Sequence, residues 1–531
     1  MTTTNSESTA VSLGLHVSRD VEIPLRDATH VVADVFRPDA PGRYPVIITL
    51  GPYSKDIHFR DWNPRIDYDS LPERGPYMHW ETVNPEWWVP QGYVVIRVDG
   101  RGTGKSPGRA RRLSADEARD YYDAIEWCAA QDFSNGKVAV MGISYFAMNA
   151  WRVAAEQPPH LAAIVPWEGA VDTYRDATRH GGIYSNGFNQ LWSRNLRSHE
   201  GKTERAASAS PPPELIEEPA EHSPDLSRVR VPVLSAGNWG GAALHLRGNV
   251  EGFVGVGSEF RMLQIHSGDH IAPFYTLEGR LLQLRFLEQF LRGVDTGITR
   301  EPRLRLAIRR GGDAYDWRYE NEWPIARTRW TPHYLDAARG WLSTAPAAKS
   351  SASFSAQLDV PRERACLRFA AAPFERQTEI TGPLKLKLWI SSTAEDADLF
   401  AIVRKLDRHG TEVRFPGQSS PAIAAAYGWL RASHRKLDAA RTKIYRPYHT
   451  HDELQPLEPG VIVPVEIEIW PTSISFESGE QLVLEVASRD DPGVEPFVHD
   501  HPEDRKLTGT TTLHCGGGHD AHLLLPIIPA R

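Results

Sequence analysis

Residues 137–155 read KVAVMGISYFAMNAWRVAA: a short apolar run, a glycine and a serine, then apolar residues at helical spacing. Such a run suits a strand buried on both faces of a parallel sheet. It passes without a linker through Gly142-Ile143-Ser144-Tyr145 into a predicted helix. A sharp strand-to-helix turn exposes a serine hydroxyl at the carboxyl end of the sheet, and the N–H groups of the helix behind it can hold an oxyanion. Phe146 stands two places after the serine, where the usual motif has glycine. The bare G-x-S pattern therefore takes its meaning from its surroundings.

The same texture recurs at PVIITLGPY (45–53), YVVIRVDGRG (93–102), LAAIVPWEG (161–169), VPVLSAGNW (231–239) and FRMLQIHSGDH (260–270). Between two of these runs lies SADEARDYYDAIEWCAAQ (114–131), where Ser114 and Glu117 have capping-box spacing and Ala118, Tyr121, Ile125 and Cys128 repeat at helical spacing. Strands alternating with helices predict an α/β sheet, opened by a hairpin over residues 16–38. Residues 170–230 break the rhythm with polar stretches and the triple proline of SPPPEL (210–215), as an inserted cap would. Beyond about residue 330 short alternating strands take over, among them LKLKLWISS (384–392), VEIEIWPTSISF (465–476) and QLVLEVASRD (481–490), which read as a β-sandwich. The expected division is an α/β domain from 1–169 and 231–325, a helical cap at 170–230, and a β-sandwich at 330–531.

A chain of 531 residues is too long for one core, which agrees with several domains. A net charge of −8, with no basic cluster, provides no electrostatic footprint for nucleic acid. Three widely spaced cysteines (Cys128, Cys366, Cys515) form neither a disulfide framework nor a zinc pattern. The opening MTTTNSESTAVSLGL has no signal-peptide pattern, and no apolar stretch approaches the ~20 residues of a membrane span. The expectation is a soluble cytoplasmic protein acting on a small molecule, with no nucleic-acid or membrane partner; a homo-oligomer is compatible with it. GRGTGKS (100–106) is not a phosphate loop, because Asp99 stands where its first glycine belongs and Pro107 follows at once. HTHD (449–452) and HCGGGHDAH (514–522) look like metal clusters, but three glycines and the nearby apolar strand suit a closing turn of the sandwich equally well; that no metal is expected is what the family resemblance below implies.

The nucleophile turn, together with GPYSKD (51–56), RVDGRGTGKSPG (97–108), GPLKLKLWISSTAEDADLF (382–400), GWLRASHR (428–435) and LEPGVIVPVEIEIWPTS (457–473), resembles the CocE/NonD serine hydrolases, the cocaine-esterase and X-prolyl dipeptidyl aminopeptidase group. The resemblance covers essentially the whole chain. It implies an α/β-hydrolase domain with an inserted helical cap and a C-terminal jelly roll, hydrolysis of an ester or amide, and no cofactor. Carried over by motif, it makes Ser144 the nucleophile and His270, in HSGDH, the base. The oxyanion donors become the Tyr53 hydroxyl and the Tyr145 N–H; one such donor contributes roughly 2.7–4 kcal/mol. The same machinery could serve acyl transfer or C–C bond cleavage, or survive in a ligand-binding pseudo-hydrolase.

One element of the family pattern is missing. The acid belongs in a G-W-x-D motif, and here the stretch is Asn238-Trp239-Gly240-Gly241, with glycine in the aspartate position. Losing the carboxylate behind a catalytic histidine costs about four orders of magnitude. Three carboxylates compete to replace it. Asp269 adjoins His270, and neighbouring side chains on an extended loop diverge; Glu251 lies about three turns into the next helix. Glu168 ends LAAIVPWEG at the carboxyl edge of the sheet, where catalytic groups of such folds gather, and is the displaced acid in this reading. A local pairing of Glu168 with Arg175 or Arg152 stays open. Trp167 and Trp239, beside the catalytic loops, are expected to line an apolar substrate pocket.

Overall fold

The β-branched runs of the first half pair with one another. A computed structural model, which describes residues 14–63, 66–200 and 210–529, places them as β1 (Leu15–Pro24), β2 (His30–Pro38), β3 (Tyr44–Gly51), β4 (Val94–Asp99), β5 (Ser134–Ile143), β6 (Leu161–Trp167), β7 (Val233–Asn238) and β8 (Arg261–His266). Across the sheet the order is β1-β2-β4-β3-β5-β6-β7-β8. The β1–β2 and β2–β4 contacts are antiparallel and the rest parallel. This is an α/β-hydrolase-type fold. The parallel strands are largely apolar because both faces are covered: Ile47, Val95, Met141 and Val165 enter one core cluster, and Ile48, Ile96, Val140 and Ile164 enter another.

The helices are α1 (Ala115–Ala130), α2 (Tyr145–Ala155), α3 (Asn186–Glu200), α4 (Leu246–Gly255) and α5 (Leu277–Leu287). Ser114 caps α1 by accepting from the Glu117 N–H at 3.3 Å. The Glu117 carboxylate does not close the expected box. It accepts from the Leu113 N–H and from the Tyr145 hydroxyl instead, tying α1 to the nucleophile turn. Residues 170–230 hold a π-helical turn (Tyr174–Thr178), two short paired strands (Arg179–His180, Ile183–Tyr184), α3 and a short helix at Pro219–His222; 201–209 lie outside the described residues.

After β8 the sheet continues into β9 (Leu304–Gly311), parallel to β8, and β10 (Ala314–Glu320), antiparallel to β9. The second unit is antiparallel throughout its central strands: β11 (Thr378–Ser392) pairs with β14 (Val463–Phe476), and β12 (Asp398–Leu406) pairs with β13 (Ala426–Arg431) and β15 (Gln481–Ala487). Arg309 of β9 pairs with Ile474 of β14, and its guanidinium donates to Ala425 O and Thr472 Oγ1 at 2.9 and 2.7 Å. The two units are thus joined through buried backbone. Among the described residues no helix is long and apolar enough to cross a membrane, and the three cysteines are free and buried.

A buried ion network seats the 170–230 segment on the second unit. Arg431 donates to Asp398, Asp504 and Glu214 at 2.8 Å each, and Arg179 donates to Asp504 at 2.7 Å. Breaking such a network on one side leaves buried charge uncompensated. Arg431→Met is therefore expected to lower stability by about 3–5 kcal/mol, read as a lower urea midpoint by tryptophan fluorescence.

Candidate active site

β5 ends by handing the chain to Ser144 at φ +56° and ψ −111°, a left-handed conformation that a non-glycine residue holds only where its surroundings impose it. The Ser144 N–H donates to Trp167 O at 3.0 Å, and the turn is packed tightly: a Cβ on Gly142 would lie 2.6 Å from Phe146 Cβ, and one on Gly169 2.5 Å from Ala147 Cβ. Phe146 is tolerated in place of the usual glycine because Gly51 leaves room for its ring; a Cβ there would lie 2.7 Å from Phe146 Cε1. Two further residues at this end of the sheet are left-handed, Glu81 at φ +59° and Glu168 at φ +49°. Their backbones are held by Ile143 N–H to Glu81 O at 3.0 Å and Glu168 N–H to Ala236 O at 2.6 Å.

Glu168 is fully buried at the end of β6 and gathers the polar groups of the site. Its Oε2 accepts from His270 Nδ1 at 2.9 Å and lies 3.9 Å from His245 Nδ1. Its Oε1 lies 3.3 Å from both His266 Nε2 and Asn238 Nδ2. The other carboxylates weighed from sequence are engaged elsewhere: Asp269 accepts the Ile271 and Ala272 N–H groups at 2.8 Å, and Glu251 pairs with Arg446. Arg175 pairs with Asp172, and Arg152 donates to the His222 carbonyl, so neither contacts Glu168.

His270 Nε2 faces the Glu81 carboxylate, with Oε1 at 3.1 Å. The imidazole on Ser144 is a different one. His245 Nε2 lies 3.3 Å from Ser144 Oγ, its Nδ1 lies 3.2 Å from Gln418 Oε1, and its ring stacks on His270 with centroids 5.1 Å apart and planes 9° apart. His245, Glu81 and Gln418 were not singled out in the sequence. His245 did carry a signal, since it ends GNWGGAALH on the very loop where the acid was sought. Gln418, 173 residues further along in the second unit, carried none.

Gln418 also packs against the loop where the family pattern has its aspartate. A Cβ on Gly241 would lie 2.9 Å from Gln418 Oε1, and one on Gly240 2.7 Å from Pro416 O. The space for a side chain at the family's acid position is filled from the second unit. The same loop clamps the site by backbone bonds, Gln418 N–H to Gly240 O at 3.1 Å and His270 N–H to Gln418 O at 3.2 Å.

Tyr53 stands on a loop fixed by Asp99, whose carboxylate accepts the Lys55 and Lys105 N–H groups at 2.7 and 2.9 Å. Its hydroxyl accepts from Trp192 Nε1 of α3 at 3.1 Å and meets the Glu81 carboxylate. Tyr145 begins α2, where N–H groups have no intrahelical partner, and its side chain turns away to Glu117 at 2.8 Å. Ser144, Tyr53, Glu81, His245, His270 and Gln418 open on one cavity of about 1100 Å³, with Trp62, Trp80 and Trp192 in its wall. Trp167 and Trp239 do not line it. Trp167 is buried against His266 at a centroid distance of 5.5 Å, and Trp239 donates to Ala307 O at 2.7 Å inside the second unit's core. Large rings beside the catalytic loops support those loops from behind.

Residues 27–212 match the X-Pro dipeptidyl-peptidase (S15 family), and residues 296–524 match the X-Pro dipeptidyl-peptidase C-terminal non-catalytic domain. A solved CocE/NonD family hydrolase from Staphylococcus aureus is 31% identical, superposes with a TM-score of 0.90, and the match covers 96% of this chain and 94% of that one. The chain belongs to the CocE/NonD family of hydrolases. A cocaine esterase from Rhodococcus sp. is 25% identical over 612 aligned positions, covering 96% of this chain and 98% of the relative. An aminopeptidase from a marine-sediment Thaumarchaeota archaeon, 15% identical with a TM-score of 0.74 over 99% of both chains, shares the fold.

The charges of this CocE/NonD hydrolase are set by burial and pairing. Burial disfavours the Glu168 charge, yet His270 and His266 hold its carboxyl down to about 2. Burial likewise disfavours a charged His270, but Glu168 and Glu81 push it up to about 10. Burial and the neighbouring His270 hold His245 down to about 3. Burial pushes the Glu81 carboxyl up against the pull of His270. Glu168, His245 and His270 could also offer a cation one ligand atom each within 4.8 Å of one another, but these atoms already face one another and Gln418.

Linkage turns the Glu168–His270 pair into a stability profile. The lowered Glu168 contributes fully above its ordinary 4.5, and that contribution is lost as pH falls through about 2. The raised His270 contributes fully below its ordinary 6.5, and that contribution is lost as pH rises through about 10. The pair is thus most stabilising between 4.5 and 6.5. Urea midpoints of the wild type and Glu168→Gln should differ most in that window and converge toward pH 10.

Proposed function

We propose that the chain is a serine hydrolase that opens an ester or amide of a small molecule through an acyl-enzyme on Ser144. The observation that carries this reading is Ser144 Oγ, 3.3 Å from an imidazole nitrogen on a left-handed turn at the wall of a large cavity. Ser144 attacks the carbonyl, the Tyr53 hydroxyl and the Tyr145 N–H meet the oxyanion, and water releases the acyl group. Burial pushes the Tyr53 phenol well above its ordinary value, so it stays a hydrogen-bond donor. Glu168 is the acid that replaces the family aspartate. It orients the histidine pair that moves the proton, and His270 is the member its carboxylate holds directly. As base, His270 must exchange Glu81 for Ser144 at its Nε2. The relatives named as esterases favour an ester.

In the same reading 1–169 with 231–325 is the catalytic domain, 170–230 a cap and 330–531 a jelly roll. The Trp192–Tyr53 bond, which brings α3 onto an oxyanion donor, supports a cap over the site.

Wild-type enzyme is expected to hydrolyse p-nitrophenyl esters and to take a fluorophosphonate label on Ser144; Ser144→Ala should lose both. Hydrolysis that survives in Ser144→Ala would sink the reading. Tyr53→Phe keeps the ring and removes one donor, so turnover should fall about 10²–10³-fold with the urea midpoint nearly unchanged. Glu168→Gln should cost roughly 10³–10⁴-fold in kcat, as loss of a triad acid does.

A further inference from the structure

Two imidazoles stand beside the nucleophile, and their hydrogen bonds distinguish them. His270 has a carboxylate on each ring nitrogen, Glu168 at 2.9 Å and Glu81 at 3.1 Å. Carboxylates accept, so both nitrogens donate and neither offers a lone pair to a serine proton. His245 is arranged the other way. Its Nδ1–H donates to Gln418 Oε1, an acceptor only, which leaves the Nε2 lone pair facing Ser144 Oγ at 3.3 Å. That is the tautomer a general base needs, within reach of a bond that tightens when substrate binds.

We propose that His245, held in this tautomer by Gln418 of the second unit, is the catalytic base on Ser144, with the stacked His270 as its proton-exchanging partner. The proposal rests on Ser144 being the nucleophile. As the Ser144 Oγ–C bond forms, the Oγ–H bond breaks and the proton goes to His245 Nε2. The His270 Nε2–H bond breaks and its proton passes along the 3.1 Å hydrogen bond to Glu81 Oε1, so the stacked pair carries one positive charge throughout. The negative charge leaves Glu81 as it appears on the oxyanion. Glu81 meets the Tyr53 hydroxyl, and a carboxylate there would oppose an oxyanion; its neutralisation frees that hydroxyl to turn to the oxyanion. In the second half of the reaction His245 Nε2–H donates to the leaving group, and Glu81 returns its proton to His270. Burial and the His270 charge make His245 a poor base on its own, and burial prepares Glu81 to accept, so the two transfers are coupled.

The test uses the full chain with p-nitrophenyl acetate and with fluorophosphonate labelling of Ser144. His245→Gln should lower kcat and the labelling rate by 10²–10⁴-fold, the range of a general base. Imidazole in the buffer should restore part of the activity of His245→Gly but not of His270→Gly. Gln418→Ala should lower kcat about tenfold through loss of the tautomer, with KM unchanged, and Gln418→Glu, which keeps an acceptor oxygen, should recover it. His245→Gln with kcat within threefold of wild type, beside a His270→Gln that is nearly dead, would overturn the proposal and leave His270 as the base. Should His245 variants fail to fold by circular dichroism, the Gln418 pair decides, and an unchanged kcat in Gln418→Ala overturns it. Activity that persists in Ser144→Ala removes the nucleophile reading itself, and this one with it.

Discussion

A carboxylate with no exposed surface must be paired, because an isolated buried charge costs far more than a fold can supply. Glu168 is such a group, and much of the site follows from it. Two hydrogen-bonding groups, His270 and Asn238, converge on its oxygens, and His266 and His245 stand close by. They come from the carboxyl ends of β7 and β8, and Glu168 follows β6, so the pairing of one glutamate draws three strand ends together. The backbone is left-handed both at Glu168, beside that cluster, and at Ser144, on the cavity wall. Strain at both points is sustained by close packing, with glycines at 142 and 169 where a Cβ would collide.

The second unit is part of the site. Its loop around Gln418 fills the space at Gly240 and Gly241, bonds to the His270 backbone and orients His245. A side chain at residue 241 would press on the Gln418 amide, whose Oε1 lies 2.9 Å from the position of a Cβ there, so the amide would have to shift. Gln418 offers an acceptor to His245 Nδ1, while Glu168 and Glu81 favour the charged form of His270. Two rings only 5.1 Å apart are thus pushed in opposite directions, His270 up and His245 down.

Much of this was legible in the sequence for local reasons. Strand runs, the serine turn and the change to alternating strands are periodicities, set by the geometry of a few consecutive residues, and they led to the sheet and to Ser144. The meeting of Glu168 with His270 was also legible, because the carboxyl end of β6 is a fixed place beside β5, although a local pairing with Arg175 or Arg152 had stayed open. The tryptophans were misjudged: adjacency to a catalytic loop does not say which side of the loop a ring takes, and Trp167 and Trp239 face the core.

What the sequence by itself determined is therefore the order of strands and turns, and with it the place of Ser144 on the turn between β5 and α2 at the carboxyl edge of the sheet. Only the tertiary structure decided which imidazole meets the serine and which groups hold it. His245 is 101 residues from Ser144 and 173 from Gln418, and no local pattern encodes contacts over such separations. They depend on how two cores pack, and packing is resolved only when every side chain competes for the same volume.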